Sequence, residues 1–553
     1  MSTHRTLIIG LDGATFDLIH PWVQAGQLPT FAKLMSQGVY APLKAWPNLN
    51  SAAAWSSIVT GYNPGQHGIF NFVDALPQIG TTWQPSTAMA RKKDPFWRYL
   101  SAAGKRIGVI NVPITYPADP IHGFMLSGMD TPDIHSPGFA HPPELCDELQ
   151  RQGIDYVIDV PRLQFSEEGD PYQVPRAIQR MMDTHSRTIL HLMKNRPWDT
   201  LMAVLVVTDR IQHFRWPAEG ISFDQPDWAP IFSIYQQIDS FLGKALELID
   251  DKTTVLIISD HGFGPLRLAR RCLNQLFAQL GLLSYRSGAD RLTNKLLERI
   301  LVYGRKTIPF SFQKSLAKTF PGLHRRAIHE HELSSIDWST TKVFYSPHMG
   351  TLTINLKGRE PEGIVSVEDY NPLRKEIQEI LLNVTDPVSG QKIIQAVHLR
   401  EEIFQGPYLA KAPDLVIEWN YDVARSAICY PAEKEPFIIH PPKRFDAGER
   451  WTGDHRPYGI FIVCGPDIKR GSRVSNATLY DIAPTILYLQ DHPIPNDMDG
   501  KVLTEIFDED YLSHHPIQYR EMPEFQWEAS HTELGTEETQ KIEERLRGLG
   551  YIE

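Results

Sequence analysis

The sequence predicts an α/β protein whose central, mostly parallel sheet is sandwiched by helices and interrupted by an inserted cap region. Three observations lead to this class. Continuous apolar runs of strand length recur at TLIIGL (6–11), RIGVINV (106–112), TLMAVLVV (200–207) and TTVLIIS (253–259), the pattern of strands buried on both faces. Helical patterns fall between them, so strands and helices alternate. From 266 to 440 the alternation gives way to basic, proline-interrupted segments, and it returns near Gly453.

Along the chain, NLNSAAAWSSIVTG reads as a loop entering a helix, with Ser51 at its N-cap, three alanines of high helix propensity and Gly61 at its end. DPFWRYLSAAG and the stretch 233–249 read as further helices. A small insertion is expected at about 130–174, where PDIHSPGFAHPPE is rich in turn formers. DLVIEW (414–419) and GIFIVCG (459–465) are later strand candidates. The segment TEETQKIEERLRGLGYIE places Ile542, Leu546 and Leu549 at helical spacing, a terminal helix docked by one stripe. The expected division is a first part of the catalytic core at 1–265, a cap with some core strands at 266–440, and the rest of the core at 441–553.

Composition narrows the function classes. With 66 acidic against 55 basic residues the net charge is −11, so no global positive field draws nucleic acid or an anionic membrane. Cys146, Cys272, Cys429 and Cys464 form no C-x-x-C pair, which argues against a disulfide scaffold and a thiolate zinc site and fits a reducing compartment. MSTHR runs straight into the first strand, leaving no room for a signal peptide, and no run of about 18 apolar residues occurs. A cytoplasmic protein without a membrane span is expected. The oligomeric state is not legible.

The informative pattern is three aspartates after three strands: Asp12 after LIIGL, Asp209 after AVLVVT and Asp260 after VLIIS. Ligands of open α/β sheets bind beyond the carboxyl ends of the strands, so these side chains can converge on one crevice. Any one of them could be a helix cap or turn residue. Three like charges in one crevice, however, repel unless a cation holds them. Histidines accompany two of them, in D-x-x-x-H (Asp209, His213) and D-H-G (Asp260, His261). A lone helical histidine is more often a core or surface residue than a ligand, but the i, i+4 spacing puts Asp209 and His213 on one helix face. Mixed nitrogen and oxygen donors suit zinc, with manganese or iron as competitors. Ser51 offers a nucleophile at a helix amino terminus, where phosphate and alkoxide are favoured, although a capping serine needs no catalytic role.

These residues resemble the alkaline phosphatase superfamily, and within it the type I phosphodiesterase and nucleotide pyrophosphatase branch. The resemblance runs through LIIGLDGATFD, SAAAWSSIVTGYNPGQHGIFNF, VTDRIQHFRW, IISDHGFGP, GDHRPYGIFIVCGP, YDIAPTILYL and MDGKVL, in the family's order. It implies an alkaline phosphatase-like fold and two divalent metal ions, one held by Asp12, Ser51, Asp260 and His261, the other by Asp209, His213 and His455. His455 enters only through the resemblance. So does Asn71, one residue short of the position that contacts phosphate in the family, which matches Phe72. Where nucleotide pyrophosphatases usually carry a threonine nucleophile followed by F-P-N-H, this chain has Ser51 followed by Ala52-Ala53-Ala54-Trp55. The C/S-x-P-x-R context of sulfatases is absent.

The expected function is therefore a metal-dependent phosphoester hydrolase, phosphodiesterase or nucleotide pyrophosphatase-like, acting through a phosphoserine on Ser51. Its partner would be a small-molecule phosphoester, nucleotides included. The alternative is a phosphomonoesterase or phosphomutase of the same superfamily, for which Arg267, Arg270 and Arg271 are candidate extra cations or else solvated surface charges. A catalytically silent protein that binds a phosphorylated ligand is the third reading. Trp216 and Trp228 are either packing residues or a stacking surface for a base or sugar.

Overall fold

In the computed structural model the described residues are all except 1–3, 48, 75–83, 161–172, 218–227, 287–334, 348–349, 424–425, 433–434, 442–450, 473, 524, 526–533 and 552–553. The main sheet has eight strands: β1 (Arg5–Leu11), β2 (Val39–Lys44), β3 (Ile107–Val112), β4 (Gly123–Ser127), β5 (Ala140–His141), β6 (Thr200–Leu205), β7 (Thr253–Ile258) and β8 (Tyr458–Cys464). Their order is β2-β8-β7-β1-β6-β3-β4-β5. The middle of the sheet, from β7 to β4, is parallel, whereas β8 runs antiparallel to β2 and β7 and β5 antiparallel to β4. The expected mostly parallel sheet is thus the observed one.

The predicted runs at 6–11, 106–112, 200–207, 253–259 and 459–465 all become strands of this sheet, and β3, β6 and β7 are buried along their whole length. Three strands have no such run. β2 alternates buried with more exposed residues at the sheet edge, as an edge strand can, while β4 ends just before the insertion expected at 130–174 and β5 lies inside it, 161–172 being outside the described residues. The helix after β1 and β2 is α1 (Ser51–Thr60), with every residue buried. It ends at Gly61 in the left-handed conformation, as expected, but its N-cap is Asn50, whose side chain accepts from the Ala52 N–H. Ser51 is therefore the first helical residue, one position inside the cap, because Asn50, itself a favoured capping residue, stands one position earlier and accepts from the Ala52 N–H.

Three further helices cover the sheet: α2 (Gln173–Asn195), α3 (Val207–Arg215) and α4 (Ala229–Leu246). The last two residues of the run at 200–207 leave the strand, and the helix α3 starts there. Between β7 and β8 the chain builds a separate four-stranded antiparallel sheet from 343–346, 351–354, 415–419 and 394–399, packed with helix Val367–Leu382 around its own apolar cluster, which extends from Ala269 to Ile439. Strands within 266–440 thus pair with one another and add none to the main sheet among the described residues, contrary to the core strands expected there. DLVIEW explains why: it alternates buried and half-buried residues, so it packs one face on its own small core. The helix Thr536–Leu549 docks on the main core by Ile542, Leu546 and Leu549, the stripe read from the sequence. Among the described residues no helix is long and apolar enough to cross a membrane.

Candidate metal centre

The sheet order sets the site. β7, β1 and β6 are neighbours in register, with Leu11 beside Leu205 and Gly10 beside Ile258, so the residues that follow their carboxyl ends emerge side by side. Asp12 follows β1 directly, Asp260 follows β7 by two residues, and Asp209 sits in the first turn of α3 after β6. All three are buried. His213 lies one turn beyond Asp209 on α3, its Nε2 3.2 Å from Asp209 Oδ1. His455 arrives from far along the chain: the strand Gly262–Pro265, just after His261, pairs antiparallel with Gly453–Arg456, which sets Phe263 opposite His455.

Two clusters of donor atoms result. In one, Asp209 Oδ1 is 3.2 Å from His455 Nε2, and His213 Nε2 is 3.0 Å from His455 Nε2. In the other, His261 Nε2 lies 3.3 Å from Asp260 Oδ2, 3.6 Å from Asp12 Oδ1 and 3.1 Å from Ser51 Oγ, which is itself 3.4 Å from Asp12 Oδ1. The clusters touch through His261: donor atoms of Asp12, Asp260 and His261 lie within 4.8 Å of one another, and so do those of Asp209, His261 and His455. The structure brings together all seven residues expected to surround metal ions.

The protonation pattern fits cations. Nδ1 of His213 faces the Gly453 carbonyl at 3.1 Å, Nδ1 of His261 the Gly262 carbonyl at 3.0 Å, and Nδ1 of His455 the Leu49 carbonyl at 2.5 Å. A carbonyl only accepts, so each Nδ1 donates, and each ring turns its Nε2 into the site. Burial, with His261 alongside, holds His455 down to about 3, so that ring is neutral. The Nε2 atoms meet carboxylate oxygens, which are acceptors: Asp209 Oδ1 and Asp260 Oδ2 are buried without a hydrogen bond. Acceptors converging on acceptors in a buried site are costly unless a positive ion lies among them.

The carboxylates point the same way. Burial first, then the charges of Asp260 and Asp209, push Asp12 well above the usual carboxylate range, and burial with Asp209 pushes Asp260 up to about 8. Without a cation Asp260 keeps its proton at neutral pH, and a cation must displace it. The sign follows: the proton competes with metal below about 8, so metal affinity of the stripped protein rises as pH climbs through 8 and levels off above it. Calorimetric titrations at pH 6.5 and 8.5 check this, and equal affinity at the two would overturn it.

A set of residues not singled out from the sequence holds these ligands. Trp55 Nε1 donates to Asp12 Oδ2 at 2.9 Å, and the indole has room because residue 10 is glycine: a Cβ there would stand 2.4 Å from the Trp55 ring. The Gly13 N–H donates to Asp260 Oδ1 at 3.1 Å from a left-handed turn, φ 69°. Thr208 Oγ1 donates to the Asp12 carbonyl at 2.5 Å and Gln212 Nε2 to that of Gly13 at 2.9 Å. Arg210 donates to Asp209 Oδ2 and forms a two-pronged pair with Asp159. Trp451 stacks on the His213 ring, centroids 3.7 Å apart. Trp55 had a signal in the sequence, one helical turn from Ser51, and Gly13, Thr208, Arg210 and Gln212 are chain neighbours of the ligands, whereas Asp159 and Trp451 are joined to the site through the fold.

Of the remaining expectations, Asn71 is buried beside the start of α1. Its Oδ1 accepts from Asn50 Nδ2 at 2.9 Å and from the Phe72 N–H, and its Nδ2 has no partner. Trp216 and Trp228 are buried against each other, with Phe263 on Trp216, and act as packing. Arg267 and Arg270 are not surface charges: both are buried, paired with Asp454 at 2.9 and 3.4 Å.

Buried carboxylates and imidazoles converge here at the carboxyl edge of a mostly parallel α/β sheet, the usual place for a ligand in such folds, and form a candidate metal centre. The model of the family described as type I phosphodiesterase / nucleotide pyrophosphatase matches residues 6–428, and the chain belongs to that family, that is, to the phosphoester hydrolases of phosphodiesterase and pyrophosphatase type. Among solved structures, human ectonucleotide pyrophosphatase/phosphodiesterase 5 is similar at 12% identity and a TM-score of 0.42, over 88% of this chain and 95% of that one. Phosphonoacetate hydrolase from Sinorhizobium meliloti 1021, in complex with phosphonoformate, is similar at 14% identity and a TM-score of 0.48, over the same shares. An inactive murine ectonucleotide pyrophosphatase/phosphodiesterase 5 in complex with AMP gives 12% and 0.41, again over 88% and 95%. No curated protein matches the chain.

Proposed function

We propose that this chain hydrolyses small phosphodiesters or nucleotide pyrophosphate bonds in two steps, through a phosphoserine on Ser51. The observation that carries this reading is the place of Ser51 Oγ, buried at the start of α1 and 3.1 Å from His261 Nε2 and 3.4 Å from Asp12 Oδ1. Asp12, Ser51, Asp260 and His261 would hold one divalent ion and Asp209, His213 and His455 the other. The mixed imidazole and carboxylate donors suit Zn2+, with Mn2+ or Fe as competitors. Such a pair, when bound, lowers the pKa of the serine hydroxyl and polarises the phosphoryl group.

Ser51 Oγ attacks phosphorus in line with the departing oxygen, and the ester bond breaks as the phosphoserine forms. Water then cleaves the phosphoserine, and two inversions give net retention at phosphorus. The amino terminus of α1 presents its partial positive charge to the transferred group. Asn71 Nδ2, a buried donor with no partner, supports a contact with a phosphoryl oxygen. The four cysteines are free thiols, which supports a reducing setting and a cytoplasmic enzyme.

The arginines bear on the class of ester. Neighbouring residues of a strand point to opposite faces, so Asp454, with Arg267 and Arg270 on it, faces away from the ligands that His455 joins. A monoester dianion needs cations beyond the metal ions, and these two are committed elsewhere, which favours a diester. Metal-loaded protein is expected to turn over bis(p-nitrophenyl) phosphate faster than p-nitrophenyl phosphate, by roughly 10-fold or more. The reverse order would return the monoesterase or phosphomutase reading. Binding of AMP with no turnover of either ester would return the silent one.

A further inference from the structure

Asp209 offers one carboxylate oxygen, Oδ1, to His213 and His455. Its orientation depends on what grips the other. Oδ2 takes two donors, the Arg210 guanidinium and the Tyr551 hydroxyl, the latter at 3.1 Å. Arg210 also donates to the Tyr551 oxygen at 2.7 Å while its other nitrogens are spent on Asp159. The tyrosine therefore has one direction left for its proton, toward Asp209.

Tyr551 reaches this position by a built path. Helix Thr536–Leu549 is docked by its apolar stripe, and Arg545 anchors it to the carbonyls of Met129, Thr131 and Pro132. Gly550 then turns the chain inward at φ 85°, where a Cβ would stand 3.0 Å from Trp451, and the Tyr551 N–H closes the turn on the Leu546 carbonyl at 2.9 Å. The phenol ring lies on Phe72, centroids 4.5 Å apart, and edge-on to Trp451 at 6.0 Å. Trp451 is the residue stacked on His213. One side chain thus braces Asp209 by a hydrogen bond and His213 through the intervening indole. The helix lies beyond the residues matched by the family model, 6–428.

We propose that Tyr551 is a positioning residue of the metal centre, delivered by helix Thr536–Leu549 to hold Asp209 Oδ2 so that Oδ1 faces His213 and His455, a role that rests on the metal-binding reading of the site. A tyrosine that merely filled the space would find some acceptor for its hydroxyl and contribute packing alone. The two roles separate in Tyr551→Phe, which keeps the ring and removes only the donor.

The test uses full-length protein stripped of metal and titrated with Zn2+ against a fluorescent chelator, with the Tm of the metal-free protein measured in parallel. Tyr551→Phe should keep the metal-free Tm and bind one Zn2+ equivalent about 10-fold more weakly than wild type, the loss typical of outer residues that orient ligands. Hydrolysis of bis(p-nitrophenyl) phosphate by that variant should fall at limiting Zn2+ and recover in excess. Leu546→Ala, which thins the helix packing but keeps the phenol, should lower the Tm without a selective loss of affinity. If Tyr551→Phe binds both equivalents as wild type does, or if affinity simply follows Tm across the two variants, the positioning role is overturned. A wild-type protein that takes up no Zn2+, Mn2+ or Fe2+, or an Asp209→Asn protein that binds them unchanged, would overturn the metal reading itself, and the positioning role with it.

Discussion

Ser51→Ala is expected to abolish turnover while leaving metal content nearly intact. In the proposed mechanism the hydroxyl is the group that bonds to phosphorus, and losing a nucleophile of this kind lowers kcat on the order of 10³-fold or more. The metal side of the expectation follows from the donor count. Around Ser51 Oγ stand Asp12, Asp260 and His261, fixed by hydrogen bonds that do not involve the serine: Trp55 donates to Asp12, the Gly13 N–H to Asp260, and His261 Nδ1 to the Gly262 carbonyl. Steady-state kinetics on bis(p-nitrophenyl) phosphate, with metal content measured by mass spectrometry on the same samples, checks both halves. Activity within a few-fold of wild type would remove Ser51 from the nucleophile's role. Loss of activity together with metal would make it a ligand only.

The second large effect is a difference between two histidines. His261 is shared: its donor atom lies within 4.8 Å of the Asp12 and Asp260 pair and of the Asp209 and His455 pair. His455 belongs to one set. His261→Ala should therefore release the ion that it would hold with Asp12, Ser51 and Asp260 and, through the contact between the clusters, weaken the other site as well, whereas His455→Ala should cost one equivalent and leave the first site in place. Activity should fall in both by more than the roughly 10- to 100-fold carried by outer residues. Metal stoichiometry after dialysis distinguishes them, and identical stoichiometry in the two variants would contradict the shared placement of His261.

What the sequence made legible follows from how far apart the cooperating residues lie. Asp12, Asp209 and Asp260 could be read because each ends an apolar run, and the sheet rule then gathers strand ends without any knowledge of strand order. His213 and His261 were readable as close neighbours of two of those aspartates. His455 was not, since its place depends on the pairing of Gly453–Arg456 with Gly262–Pro265, and nothing local in G-D-H-R announces a partner so distant. Only resemblance supplied it. Ser51 was misplaced by one residue at the cap because Asn50, an equally favoured capping residue, precedes it and caps the helix through the Ala52 N–H. Arg267 and Arg270 looked like surface charges because the buried partner that neutralises them, Asp454, belongs to another segment. Tyr551 could be seen as the end of an amphipathic helix but not as a neighbour of Asp209, since only the docking of that helix joins them.

The two short strands that set Phe263 opposite His455 also bracket nearly everything in the second apolar cluster. They serve as the stem of a graft. Whatever the chain carries between them can lengthen, shorten or change its surface, and the paired stem still returns His455 to the same place. The ligands at the strand ends and the second apolar cluster thereby belong to separate stretches of sequence, the first gathered by the main sheet and the second suspended from the stem.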